Sequence, residues 1–220
     1  MSELRAISVD LDGTLYRVRR LRVAWRLARS RSVLVAFLEA RERVRREGPF
    51  KNREELVERE LEMVINAIGL PRAEVEPKLR ALVEQLPDAL TEGFAPFEGA
   101  RETLVAATER GLAIAVLSDY APAKKLENLG LKGLPWAVAI GGEEIGALKP
   151  SPRAFHSVAE RLGLEPSRIL HIGDREDLDV EGALAAGFRA WRFSPREKHP
   201  TKASFAFSRW SPDILDRVER

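Results

Sequence analysis

Along the chain, the spacing of apolar residues changes period twice. Residues 4 to 11 form a continuous apolar, β-branched run that reads as a buried strand, closed by Gly13 and Thr14. From residue 17 to about 86 strand-like runs vanish. Val18, Leu21, Trp25, Ala28, Val35 and Leu38 follow helical spacing until GPF at 48 to 50, and two further helices are predicted over 52 to 68 and 72 to 86, divided by Gly69 and Pro71. At EGFAPFEGA, residues 92 to 100, glycine and proline return the chain to an alternating regime. The predicted order is helix 100 to 110, strand LAIAVLSD, helix 122 to 129, strand AVAIG, helix 152 to 162, strand RILHIGD, helix 179 to 186 and strand RAWRF. A last strand, ASFAF, precedes a helix opened by Ser211 and Pro212.

Strands alternating with helices of this length predict an α/β fold, a parallel sheet covered on both faces. The helical block interrupts it after the first strand. The expected organisation is therefore a Rossmann-like three-layer core from residues 1–15 and 93–220, with an all-helical unit inserted at 16–92.

With 220 residues, 45% of them hydrophobic and 32% charged, the chain can bury a core of this kind. Its longest early apolar run, VLVAFL, is far short of a membrane span, and no charged leader precedes the first strand, so the expected location is cytoplasmic with no membrane partner. The absence of cysteine excludes disulfides and thiolate metal sites, and three scattered histidines offer no zinc cluster. A metal here must be held by oxygen, which favours Mg²⁺.

The net charge of +2 hides an asymmetry: residues 17 to 46 hold eleven arginines against Glu39 and Glu42. They read either as a solvated face paired with the Glu-rich helix at 54 to 62 or as a positive rim for an anionic substrate. Nucleic-acid binding is not expected, because aromatics are sparse among the arginines and the acidic helix offsets the field.

In an open parallel sheet, reactive groups gather beyond the carboxyl ends of the strands. Asp10 and Asp12 end the first strand, Ser118 and Asp119 the second and Asp174 the strand RILHIGD, while Lys149 starts the turn before a helix. Two carboxylates one residue apart repel unless positive charge lies between them. Gly13 marks a departure from strand geometry that aims them differently, one as nucleophile and the other as proton donor and acceptor. His171 reads as a core histidine, His156 lies on a predicted helix and His199 in a polar loop.

DLDGTL, VLSD, ALKPSP and GDREDLDVEGALAAG, in that order, resemble the four motifs of the haloacid dehalogenase-like hydrolase superfamily, and the helical interruption resembles the helical cap of its phosphatases. The resemblance runs from residue 6 to about 191. It implies that Asp10 attacks phosphorus to form an aspartyl phosphate, and that Asp12 protonates the leaving oxygen and then activates water. It places Ser118, Asp119 and Lys149 around the phosphoryl group, and Asp10, Asp174 and the backbone carbonyl of Asp12 on Mg²⁺. Asp179 would orient a bound water or Lys149. Asp177, read from its place before an apolar helical run, is expected to cap the following helix. Asp119 stands where relatives often carry Asn; an ionised carboxylate accepts hydrogen bonds but cannot donate them.

The resulting expectation is a Mg²⁺-dependent phosphatase, monomeric or homodimeric, acting on a small phosphorylated metabolite. Tyr16, Arg17, Arg20 and Lys51 are the expected cap contacts with the leaving group, and Gly13, Gly93 and Gly99 the expected hinges. Asp12 argues against dehalogenation, whose enzymes lack this acid and base. Phosphonate cleavage would need a cap lysine in a particular place, where only Lys51 and Lys78 are available. A phosphomutase and a non-catalytic binding or regulatory protein are the alternatives.

Overall fold

A computed structural model describes residues 3–195 and 200–218. His199 lies outside the described residues. Six parallel strands form one sheet: β1 (Ala6–Val9), β2 (Ala113–Ser118), β3 (Trp136–Gly141), β4 (Ile169–Gly173), β5 (Arg189–Phe193) and β6 (Phe205–Phe207). Their order is β3-β2-β1-β4-β5-β6, so the chain builds outward on one side of β1 and then crosses to the other. That reversal leaves a crevice between the carboxyl ends of β1 and β4, the place where such sheets bind ligands.

Both faces of β1 are covered, which is why its run is apolar without alternation. Ile7 and Val9 pack with Val116, Ile172, Leu104 and Trp191 on one side. Ala6 packs with Leu117, Phe155, Val158 and Ala190 on the other. Helices α5 (Ala100–Glu109), α6 (Ala123–Asn128), α7 (Pro152–Leu162) and α8 (Glu181–Ala185) supply the outer layers. The fold class expected from the alternation is the one observed.

Between β1 and α5 stand four helices: α1 (Arg20–Arg26), α2 (Arg31–Glu47), α3 (Arg53–Ile68) and α4 (Arg72–Thr91). They bury a cluster of their own built on Val23, Leu27, Phe37, Val64, Leu82 and Leu86. The apolar stripe differs from the one expected. Leu21 and Trp25 are 89% and 79% exposed, Val35 and Leu38 also face solvent, and the buried positions are Val23, Leu27, Val33, Leu34, Phe37 and Ala40. A single 3₁₀ turn at Ala28–Ser30 separates α1 from α2, yet Val23, Leu27, Leu34, Phe37 and Val44 keep helical spacing across it, so the buried stripe is a second apolar set beside the expected one.

Two other boundaries moved. Helix α4 continues through Pro87 to Thr91 because Leu86, Ala89 and Leu90 keep burying its inner face, which outweighs the hydrogen bond that proline removes. The predicted helix at 179 to 186 begins instead as a π-turn, Glu176–Val180, ahead of α8. Such turns are frequent at functional sites, and this one carries Asp179.

Candidate active site

β1 delivers Asp10 to the crevice, its backbone N–H still bonded to the Ile172 carbonyl at 2.9 Å. The side chain is buried and accepts from Lys149 Nζ at 2.6 Å through one oxygen and from Thr14 Oγ1 at 3.0 Å through the other. Burial, reinforced by Asp179, Asp174 and Asp12 and opposed by Lys149, pushes the Asp10 carboxyl up to about 8. Gly13, at φ +96°, turns the chain just beyond it. A Cβ there would fall 2.4 Å from Asp174 Oδ2, so only glycine lets the loop pass this close to the carboxylate.

Asp12 faces a different set of groups. Its Oδ1 accepts from the Tyr16 hydroxyl and its Oδ2 from Lys125 Nζ at 2.5 Å. Lys125, fully buried on α6, also donates to Ser118 Oγ at 3.1 Å. The two carboxylates at the end of β1 thus have separate cations, Lys149 for Asp10 and Lys125 for Asp12.

Lys149 bridges Asp10 and Asp179, with Asp179 Oδ1 also 2.6 Å away. The other oxygen of Asp179 accepts the Arg175 backbone N–H at 3.0 Å, and His171 Nε2 lies 3.3 Å from Oδ1. Although burial opposes it, Lys149 and His171 hold the Asp179 carboxyl far below the ordinary range. His171 is in the core, as expected, and burial lowers its basicity. Since Asp179 only accepts, Nε2 carries the proton and Nδ1 accepts from the Ser8 hydroxyl at 3.1 Å. Asp177 does not cap the helix: it pairs with the Arg175 guanidinium at 2.6 Å, and the π-turn has no side-chain cap.

Asp119 departs from the expected phosphate contact. Its Oδ2 accepts from Arg45 at 2.7 Å and its Oδ1 from the Lys149 backbone N–H at 2.9 Å, so both oxygens are committed to protein donors. Arg45, on α2, also donates to the Lys149 carbonyl. One turn earlier Arg41, almost wholly buried, donates to the Asp119 carbonyl and pairs with Glu60 and Glu143.

Of the expected leaving-group contacts, Tyr16 alone reaches this network. Arg17 is exposed over Phe97, Arg20 begins α1 at the surface, and Lys51 lines an open groove with Glu144, Arg153 and His156. The arginine stripe divides among several partners. Arg41 pairs with the Glu-rich helix, Arg26 with Glu92, and Arg19 and Arg22 lie over the Phe94 ring.

The chain matches the family model described as haloacid dehalogenase-like hydrolase over residues 4–187. It belongs to that family. A glyceraldehyde 3-phosphate phosphatase of Methanopyrus kandleri is 31% identical over 195 residues, 84% of this chain and 81% of that protein. A phosphoglycolate phosphatase of Pectobacterium atrosepticum is 33% identical over 101 residues, 44% of this chain and 42% of its own length. Among solved structures, a 2-haloacid dehalogenase from Pseudomonas syringae pv. Tomato DC3000 superposes with a TM-score of 0.69 over 97% of this chain and 99% of that one. At 23% identity it bears on the fold alone. As a member of that family the chain is a hydrolase, and these two relatives in sequence are phosphatases.

The donor set of this hydrolase suits a hard divalent cation. Oxygens of Asp10, Asp174 and Asp179 lie within 4.8 Å of one another. Burial also raises the Asp174 carboxyl, to about 6, as it raises Asp10, so both carboxyls resist ionisation until a cation shares the site. Mg²⁺ takes one or two carboxylates and keeps its waters. Asp10 and Asp174 fit that role better than Asp179, whose oxygens already face Lys149, His171 and a backbone N–H.

Sequence reasoning passed over Thr14, Lys125, Arg41 and Arg45. Thr14 stood inside DLDGTL, and its hydroxyl is the signal that was available. Lys125 sits in AKKL beside an equivalent lysine, and nothing in the order of residues says which one turns inward.

Proposed function

We propose that the chain is a Mg²⁺-dependent phosphatase that hydrolyses a small phosphorylated metabolite through an aspartyl-phosphate intermediate. The carrying observation is the division of labour at the end of β1: Asp10 is buried on Lys149 and Thr14, while Asp12 rests on Tyr16 and Lys125. A phosphate dianion repels a carboxylate nucleophile, so positive charge and donors must offset it before attack. Lys149 supplies that charge at Asp10, and the Ser118 hydroxyl, which accepts from Lys125, keeps its own proton to donate to a phosphoryl oxygen. Mg²⁺ held by Asp10, Asp174 and the Asp12 carbonyl would add Lewis-acid neutralisation of the phosphoryl group.

An Asp10 oxygen attacks phosphorus and the bond to the leaving oxygen breaks, with Asp12 giving that oxygen a proton. Asp12 then takes a proton from water as it attacks the aspartyl phosphate, releasing phosphate and restoring Asp10. Asp179 keeps the Lys149 ammonium at the nucleophile. The helical unit at 16–92 acts as a cap on the core formed by 1–15 and 93–220, excluding water and choosing the leaving group.

The names of the relatives point to glyceraldehyde 3-phosphate and phosphoglycolate as the first esters to try. No helix among the described residues is long and apolar enough to cross a membrane. The test is phosphate release from a panel of small esters with Mg²⁺, with chelator, and with Asp10→Asn. Turnover that depends on both the metal and Asp10 supports the reading. Undiminished activity in excess chelator or in the Asp10→Asn protein overturns it.

A further inference from the structure

The backbone of Lys149 is held from both sides by one ion pair that spans the helical insert and the sheet. Asp119, at the end of β2, accepts the Lys149 N–H at 2.9 Å, and Arg45, on α2, donates to the Lys149 carbonyl and to Asp119 Oδ2 at 2.7 Å. The loop leading to Lys149 is gripped at two more points. Arg41 reaches Glu143 at 2.9 Å, and Gly146, at φ +68°, accepts the Phe50 N–H at 2.8 Å so closely that a Cβ would stand 2.6 Å from the Asn52 carbonyl oxygen. Arg41, Arg45 and Phe50 belong to the insert, and the Lys149 backbone held by Arg45 and Asp119 carries the ammonium that bridges Asp10 and Asp179.

We propose that Arg45 is a positioning residue: through Asp119 it registers the helical insert on the backbone of Lys149, so that the lysine meets Asp10 only when the insert is seated. The arrangement also accounts for aspartate at position 119. Two separate acceptor oxygens are needed, one for Arg45 and one for the Lys149 N–H, whereas an amide offers a single acceptor and turns its NH₂ toward one of these donors. Although burial opposes ionisation, Arg45 and Lys149 hold the Asp119 carboxyl below its ordinary range, so the pair is charged when the insert is in place. Small displacements matter at such a site, because a misplacement near 1 Å costs about 10²-fold in rate.

The proposal rests on the phosphatase reading for its kinetic arm and stands apart from it in its structural arm. Four proteins are compared: wild type, Arg45→Ala, Asp119→Asn and the double variant, with Arg46→Ala, an exposed neighbour on α2, as control. Each single variant is expected to lower kcat for a small phosphate ester at least about tenfold, by loss of registration, with KM changed less than about threefold. The double variant should be no slower than the worse single one, the non-additivity of two residues acting as a unit. By NMR, the Lys149 amide should exchange with solvent about tenfold faster or more in all three, and at the wild-type rate in Arg46→Ala. Arg45→Lys, which keeps the charge but not the forked donor, serves if the alanine protein fails to fold, and the same loss of kcat and faster exchange are expected of it.

Additive effects, an unchanged kcat, or a Lys149 amide that exchanges as in wild type would each overturn the proposal. A wild-type chain that releases no phosphate from any ester would remove the phosphatase reading, and the amide exchange would still decide whether Arg45 positions Lys149.

Discussion

The ammonium of Lys125 lies 2.5 Å from Asp12 Oδ2, and the same nitrogen reaches Ser118 Oγ at 3.1 Å. A lysine only donates, so Ser118 must accept from it and keeps its own proton for another partner. One buried cation therefore sets both the acid and base carboxylate and the hydroxyl expected at the phosphoryl group. Replacing Lys125 with Met should spare a leaving group that needs no proton and penalise one that does. Turnover of an alkyl phosphate should fall by up to the ~10²–10⁴ that acid and base catalysis contributes, and turnover of p-nitrophenyl phosphate by much less. Equal losses on the two esters would assign Lys125 to the support of the fold instead.

Stability should depend on pH in a way set by the buried carboxylates. Burial raises Asp10 from 3.8 to about 8 and Asp174 from 3.8 to about 6. Between the ordinary value and these raised ones the folded chain holds protons the unfolded chain has released, so unfolding free energy falls as pH rises through that window. Asp179 acts oppositely, its lowered carboxyl contributing stability above its ordinary value that is lost as the pH falls. In chelator, the thermal midpoint should decline from about pH 5 to about pH 8, and Mg²⁺ should raise it most at the upper end, where the ligands are ionised. Asp10→Asn should flatten the decline. A midpoint that rises across the window without metal would contradict the buried charge.

The arginines expected at the leaving group should matter little. Arg17, Arg20 and Lys51 are exposed and make no contact with Asp12 or Lys149, so alanine at each should change kcat/KM by no more than about twofold, the scale of an ordinary surface change. Tyr16→Phe removes the hydroxyl that donates to Asp12 and should lower kcat while leaving KM nearly unchanged. A large rise in KM for an anionic ester in Arg17→Ala or Arg20→Ala would restore the positive rim.

The rotated stripe of the helical insert has a consequence for stability. Leu21 and Trp25 are exposed, so serine at either should cost no more than about 0.5 kcal/mol. Phe37, almost wholly buried, should cost about 3–5 kcal/mol on replacement by alanine. Chemical denaturation of the three variants separates the two faces, and a large loss at Trp25 would mean that its face is covered in solution.

Much of this molecule is local and therefore legible in one dimension. The apolar run of β1, the alternation of strand and helix after residue 92 and the breaks at glycine and proline follow from backbone sterics and side-chain periodicity. So does the placing of Asp10, Asp12, Ser118 and Asp174 at strand ends, where a parallel sheet gathers its chemistry. Other features depend on contacts between residues far apart in the chain. Two apolar sets in the insert, Leu21, Trp25, Val35 and Leu38 on one side and Val23, Leu27, Leu34 and Phe37 on the other, share helical spacing, and only packing against α3 and α4 decides which is buried. Lys125 and Lys124 are indistinguishable in sequence, and only the packing of α6 against β2 and the insert turns one inward to Asp12 and leaves the other half exposed beside Asp88. Arg41 and Arg45 read as part of a charged stripe until the insert folds back on the sheet. There, across 102 and 74 residues of chain, burial makes their pairing with Glu143 and Asp119 obligatory, since an unpaired charge in that position would be far too costly.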